Sequence, residues 1–244
     1  MKKFISMLLI LAMLLPCTLA AADGVMTDKA INFAEFAYGD TFGNIRKNLK
    51  AGAIDFKYGA YTSRCLADAI DTLPDYSRRD ENVAPCFRVR EEGQRKVAGH
   101  HAGTYLWFVY PDSNLTDENN AVFYAGDYEF DTYDSDARSI FEDLKGKLSQ
   151  LYGEPFYAGN NISVAMGEIV PDEIDRYNND LERYQPEYVV WKSSANNATV
   201  VLKFFKQHGD WERTLLSYIS DIADATLSQY VVQQSASDLS LQGL

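Results

Sequence analysis

Val97 to Asp131, VAGHHAGTYLWFVYPDSNLTDENNAVFYAGDYEFD, reads as two long β-strands joined by a polar loop. In its first strand Thr104, Leu106, Phe108 and Tyr110 point to one face, and Tyr105, Trp107 and Val109 to the other. Both faces are apolar, so the strand belongs in the middle of a sheet, covered above and below, or else covers its second face with a partner. The returning strand is apolar all round from Ala121 to Ala125. Beyond that, Asp127, Glu129 and Asp131 alternate with Tyr128 and Phe130, which predicts one wet face at its far end. Between the strands, PDSNLTDENN carries the Pro, Asp, Ser and Asn that set turns.

Upstream, Ile31–Tyr38 reads as a short strand broken by Gly39, with Asp40 or Thr41 capping a helix whose stripe is Phe42, Ile45 and Leu49 and which Gly52 stops. A second helix is predicted from Arg64 to Leu73, then a strand at Cys86–Val89. Downstream comes the strongest helical pattern, with Ala137, Ile140, Phe141, Leu144, Leu148 and Leu151 on one side and Gly153 as the stop. FYAGNNISVAMGE reads as a loop, and Pro171 opens another helix. Strands at Tyr188–Lys192, Thr199–Lys206 and Thr214–Ile219 follow, the first two joined at Asn196-Asn197. A helix from Asp221 to Gln233 closes the order.

The order helix, helix, three strands thus occurs twice. Phe42-x-x-Ile45-Arg46-x-x-Leu49 echoes Phe141-x-x-Leu144-Lys145-x-x-Leu148. The fold class expected is α+β: antiparallel sheets covered by helices, in two tandem helix-helix-three-strand units at 23–132 and 133–234, with a polar tail at 235–244.

MKKFISMLLILAMLLPCTLAAADG has two lysines, an apolar core and an Ala20-x-Ala22 site, so residues 1–22 read as a signal peptide of a secreted or periplasmic protein. Cys17 invites a lipoprotein reading, which Pro16 opposes. No later stretch has the roughly 20 apolar residues of a membrane span. Taking Lys2 and Lys3 from the 23 basic residues leaves 21 against 35 acidic ones, a net charge of −14. That surplus argues against a nucleic-acid partner, which clustered Lys and Arg would serve. Cys65 and Cys86 remain and are expected to form a disulfide, closing a loop of about 20 residues worth around 3 kcal/mol; two buried thiols are the other reading.

The whole mature chain resembles an uncharacterised family of bacterial secreted proteins. The pieces that carry this are Phe36-Ala37-Tyr38-Gly39, Val97-Ala98-Gly99, the Tyr105–Tyr110 strand, Phe123-Tyr124-Ala125 and Lys147-Leu148-x-x-Leu151-Tyr152-Gly153-Glu154-Pro155. The resemblance implies no activity. In architecture alone, the doubled order is similar to β-lactamase inhibitor protein and to the small lipoprotein of the outer-membrane barrel assembly machinery, without the lipoprotein cysteine.

Motifs for chemistry are sparse. His100 and His101 are adjacent in a strand and point apart, and His208 near Asp210 has no partner at ligand spacing, so no metal and no cofactor is expected. The acidic clusters Asp131-Asp134-Asp136 and Asp112-Asn114-Asp117-Glu118 lack the ordered spacing of a calcium loop. There is no Gly-x-Ser-x-Gly elbow and no Gly-rich phosphate loop; Glu168, Asp172 and Glu173 gather at a helix start, where acids suit the dipole. Tyr105, Trp107, Trp191 and Trp211 are the candidate binding residues, as anchors for a protein or carbohydrate. The expectation is an exported, non-catalytic binding protein, the alternative a carboxylate-dependent hydrolase of cell-wall or dietary polymer.

Overall fold

The structure is a computed structural model that describes residues 24–49, 54–62, 85–110, 117–130, 137–160, 186–207 and 211–222. At Asn48, 54–62, 85–86, 206–207 and Trp211 it describes the backbone alone. Among the described residues two α-helices, α1 (Phe42–Asn48) and α2 (Ala137–Tyr152), accompany nine strands. These are β1 (Ile54–Thr62), β2 (Pro85–Glu91), β3 (Arg95–Val97), β4 (His100–Val109), β5 (Val122–Phe130), β6 (Tyr157–Gly159), β7 (Glu187–Lys192), β8 (Ala198–Gln207) and β9 (Trp211–Ser220). All nine belong to one antiparallel sheet, in the order β1-β2-β4-β5-β9-β8-β7-β6, with β3 added beside the start of β4. The two halves of the chain therefore share a sheet, joined through β5 and β9.

Strand β1 and the short β3 and β6 are not among the elements expected from the sequence. IDFKYGAYT has no clean alternation, and β1 keeps its pairing with β2 only through two register shifts. Tyr157–Gly159 is too short to show a period. Ile31–Tyr38 is not a strand: Phe33 and Phe36 form an isolated bridge around a tight turn in which Ala34 has a positive φ of 49°. The expected helices at 64–73 and from Pro171 lie outside the described residues, as does all but the start of the one expected from Asp221.

One sheet face gathers Val89, Leu106, Phe123, Trp191, Leu202 and Leu216 into the main core. α1 sets Phe42 against it at 5.3 Å from Phe87 and 5.0 Å from Phe108, ring centre to ring centre. α2 lays Ala137, Ile140, Phe141, Leu144 and Leu148 on it, with Phe141 5.9 Å from Phe204; Leu151, at the end of the expected stripe, is half exposed.

Between the helices runs a strap, residues 27–41. It starts at the β7–β8 turn, where Thr27 N donates to Lys192 O and Asn196 exchanges two bonds with the Ile31 backbone. It ends on β5, where Gly39 N donates to Phe123 O and Phe42 N to Ala121 O. Midway, Phe33 lies over Gly126, with Tyr128 at 4.6 Å and Tyr218 at 5.6 Å. Arg95 clamps the strap from the side, donating to both oxygens of Glu35 (2.8 and 2.9 Å) and both of Glu91 (2.6 Å each). The strap's last residue caps α1: Thr41 Oγ1 accepts from Asn44 N at 3.3 Å. Thr41→Ala should cost about 1 kcal/mol, read as a shift of the urea midpoint at unchanged slope.

Candidate functional site

The second face of the sheet carries the chemistry. FRVRE in β2 alternates, so Phe87 and Val89 enter the core while Arg88 and Arg90 face the other way. On the same face β4 places Tyr105 and Trp107, β5 places Asp127 and Glu129, and β9 places Arg213 and Ser217. Register brings four of these into one row across the sheet: Arg90 opposite Tyr105, Tyr105 opposite Asp127, Asp127 opposite Ser217.

The contacts within this patch are diagonal as well as direct. Trp107 Nε1 donates to Asp127 Oδ2 at 2.5 Å. The Arg88 guanidinium lies 5.0 Å over the Tyr105 ring and 5.4 Å over Trp107, and that of Arg90 lies 5.9 Å over Tyr105. Further along, Arg213 pairs with Glu129, and Lys203 lies 4.8 Å over Phe205 and 5.6 Å over Tyr188. The patch is thus a ladder of cations and aromatic rings around two carboxyl groups, Glu129 paired with Arg213 and Asp127 bonded to Trp107.

Asp127 was expected on a wet face and is instead fully buried. Alternation placed it on the correct side of β5, but its exposure depended on what covers that side, which alternation does not reveal. Burial pushes its pKa up to about 7; the Trp107 N–H, the Ser217 hydroxyl and the Arg88 charge pull it down, and Glu129 adds to the rise. Desolvation wins because the two hydrogen bonds and one neighbouring cation do not replace a carboxylate's hydration shell. Asp127 Oδ1 has no hydrogen-bond partner among the described residues.

Of the four candidate aromatics, Tyr105 and Trp107 meet in this patch, both buried, at 9% and 5% exposure. The doubly apolar strand β4 is therefore closed on both faces, and its aromatics do not argue for a partner by exposure. Trp191 lies on the opposite face, in the core, with its indole N–H donating to Gly153 O at 3.0 Å. Trp211 opens β9 opposite Gln207, its side chain outside the described residues. Cys65 is likewise outside them, and Cys86 is described only as a backbone position of β2 facing Val109.

His100 and His101 diverge, as neighbours in a strand must: His100 Nε2 is 2.7 Å from Asp143 of α2, and His101 is exposed. Lys147 joins that contact, donating to Asp143 at 2.6 Å and to Ala98 O at 2.7 Å. Among the described residues no three His, Cys, Asp or Glu side chains gather as metal ligands, and no helix is long and apolar enough to cross a membrane. Asp117 caps a short 3-10 turn; His208, Asp210, Asp112, Asp131, Asp134, Asp136, Glu168, Asp172 and Glu173 lie outside the described residues.

Asp127, Glu129, Arg88 and Arg90 are the site residues that sequence reasoning did not select. The available signal was the alternation of charges with apolar residues in β2 and β5, which ordinarily marks solvent. Compared with known proteins, the chain matches no family, no curated protein and no solved structure.

Proposed function

We propose that the chain is an exported, non-catalytic binding protein whose partner is a protein or a carbohydrate. The observation that carries this reading is the arginine–aromatic ladder of Arg88 and Arg90 over Tyr105 and Trp107. Arginine, tyrosine and tryptophan are the residue types that dominate binding energy at interfaces, and both arginines are half-buried residues lying against buried rings. In a chain of net charge −12 such a cationic strip selects partners by sign as well as shape.

The same proposal takes residues 1–22 as a leader, and residues 23–132 and 133–234 as duplicated helix-plus-sheet units. The mirror order of the sheet supports the duplication, since β1-β2-β4-β5 and β6-β7-β8-β9 meet through their last members. A Cys65–Cys86 bridge belongs to it too, and two free thiols in the unfolded, unreduced protein would remove it.

The test is binding of the purified protein to panels of soluble glycans and exported proteins. Saturable binding weakened about tenfold or more by Arg90→Ala, at an unchanged melting temperature, is the expected result. One observation favours the hydrolase instead. Asp127 and Glu129 share a face of β5 in unlike environments, one buried with a raised pKa and one paired with Arg213, a pattern acid–base pairs use. Release of reducing ends from a glycan, lost in Glu129→Gln, would replace the binding proposal with that one.

A further inference from the structure

We propose that Asp127 is a proton-operated latch: the neutral acid lets the two halves of the sheet close around it, and ionisation loosens their junction. The proposal stands independently of the binding reading.

The geometry places this carboxyl at the junction itself, on β5 directly opposite Ser217 of β9, the strand pair that joins the halves. It is fully buried, and although the Trp107 N–H and the Ser217 hydroxyl both bond to the carboxyl, its Oδ1 has no partner among the described residues. A carboxylate there would hold a full charge with half its acceptor capacity unused.

The surrounding charges do not cancel it. On β2, Arg88 and Arg90 face the same side, but their guanidinium groups stack on Tyr105 and Trp107 of β4; only Arg88 contributes a stabilising pull. On β9, Arg213 is engaged by Glu129, whose own charge two residues along β5 opposes ionisation of Asp127. On β8, Lys203 sits over Phe205 and Tyr188, in the same row as Glu129, both opposite Leu215 of β9. Burial outweighs these contributions and raises the pKa of the group to about 7.

The sign follows from linkage. An unfolded Asp ionises near pH 4, so between about pH 4 and 7 the folded chain holds a proton that the unfolded chain has released. The folding equilibrium constant therefore falls about tenfold per pH unit across that window through this group, and levels off above it.

The experiment is urea denaturation of the purified protein and of Asp127→Asn, which keeps an oxygen for Trp107 and cannot ionise. Measured from about pH 5 to 8, the ratio of the variant's folding constant to the native one should rise about tenfold per unit and flatten above about pH 7. Contributions from groups other than Asp127 are common to both proteins and cancel from the ratio. A ratio constant with pH overturns the latch. If Asp127→Asn does not fold, carbon NMR titration of the native aspartate carboxyls reads the group directly: a midpoint near 7 supports the latch, and one in the ordinary carboxylate range overturns it.

Discussion

Gly126→Ala will destabilise the folded chain by about 3 kcal/mol, lowering its melting temperature by roughly 6–12 °C. A Cβ at this position would stand 2.2 Å from Phe33 Cδ1 and 2.3 Å from Cε1. Phe33 cannot move aside, because it is fully buried and wedged among Phe36, Phe123, Tyr128 and Tyr218. The missing side chain at Gly126 is thus the notch that lets the strap lie flat on the sheet between Leu106 on β4 and Tyr218 on β9.

Phe33→Ala alone should cost about 3–5 kcal/mol, through lost burial and the cavity left behind. The two changes share one space, so the double variant should be more stable than the sum of single losses allows, by about 1–3 kcal/mol. Urea denaturation of the four proteins closes that cycle. Strict additivity would mean that Phe33 and Gly126 do not meet in solution.

Phe141→Ala is the second large effect, about 3–5 kcal/mol, which for a chain of this size lowers the melting temperature by roughly 6–20 °C. Phe141 is fully buried on α2 and packs against Phe204 of β8, whose ring also lies 4.2 Å beneath the Arg138 guanidinium. Arg138 in turn donates to Glu187 of β7 at 2.5 Å, so the helix is held to β7 and β8 around this ring. Leu151→Ala, on the same helix but half exposed, should change stability by no more than about 0.5 kcal/mol. Equal losses from the two variants, measured by thermal denaturation, would show that α2 is not docked through Phe141.

The elements with a sustained period were legible in the sequence. The alternation of Thr104 to Tyr110 located β4, the 3.6-residue spacing of Ala137 to Leu148 located α2, and Gly153 ends that helix with a φ of 88° as a C-terminal glycine does. Strands β7, β8 and β9 were placed within one to three residues of their observed ends. The strap was misread as a strand because INFAEFAY is apolar and aromatic enough for one. Its ends are tied instead to Lys192, through Thr27, and to Phe123, through Gly39, partners 165 and 84 residues away that no local window contains.

By itself, then, the sequence determined strands β2, β4, β5, β7, β8 and β9, the apolar stripe of α2 and the sides of β2 and β5 on which Arg88, Arg90, Asp127 and Glu129 fall, because these follow from the two- and 3.6-residue periods of the backbone. Only the tertiary structure decided that the halves share one sheet, that Phe33 fills the notch at Gly126, and that Asp127 is buried at the junction beside Trp107. The reason is physical: periodicity records which way a side chain points, whereas its burial, its partners and its proton affinity depend on what long-range pairing brings against it.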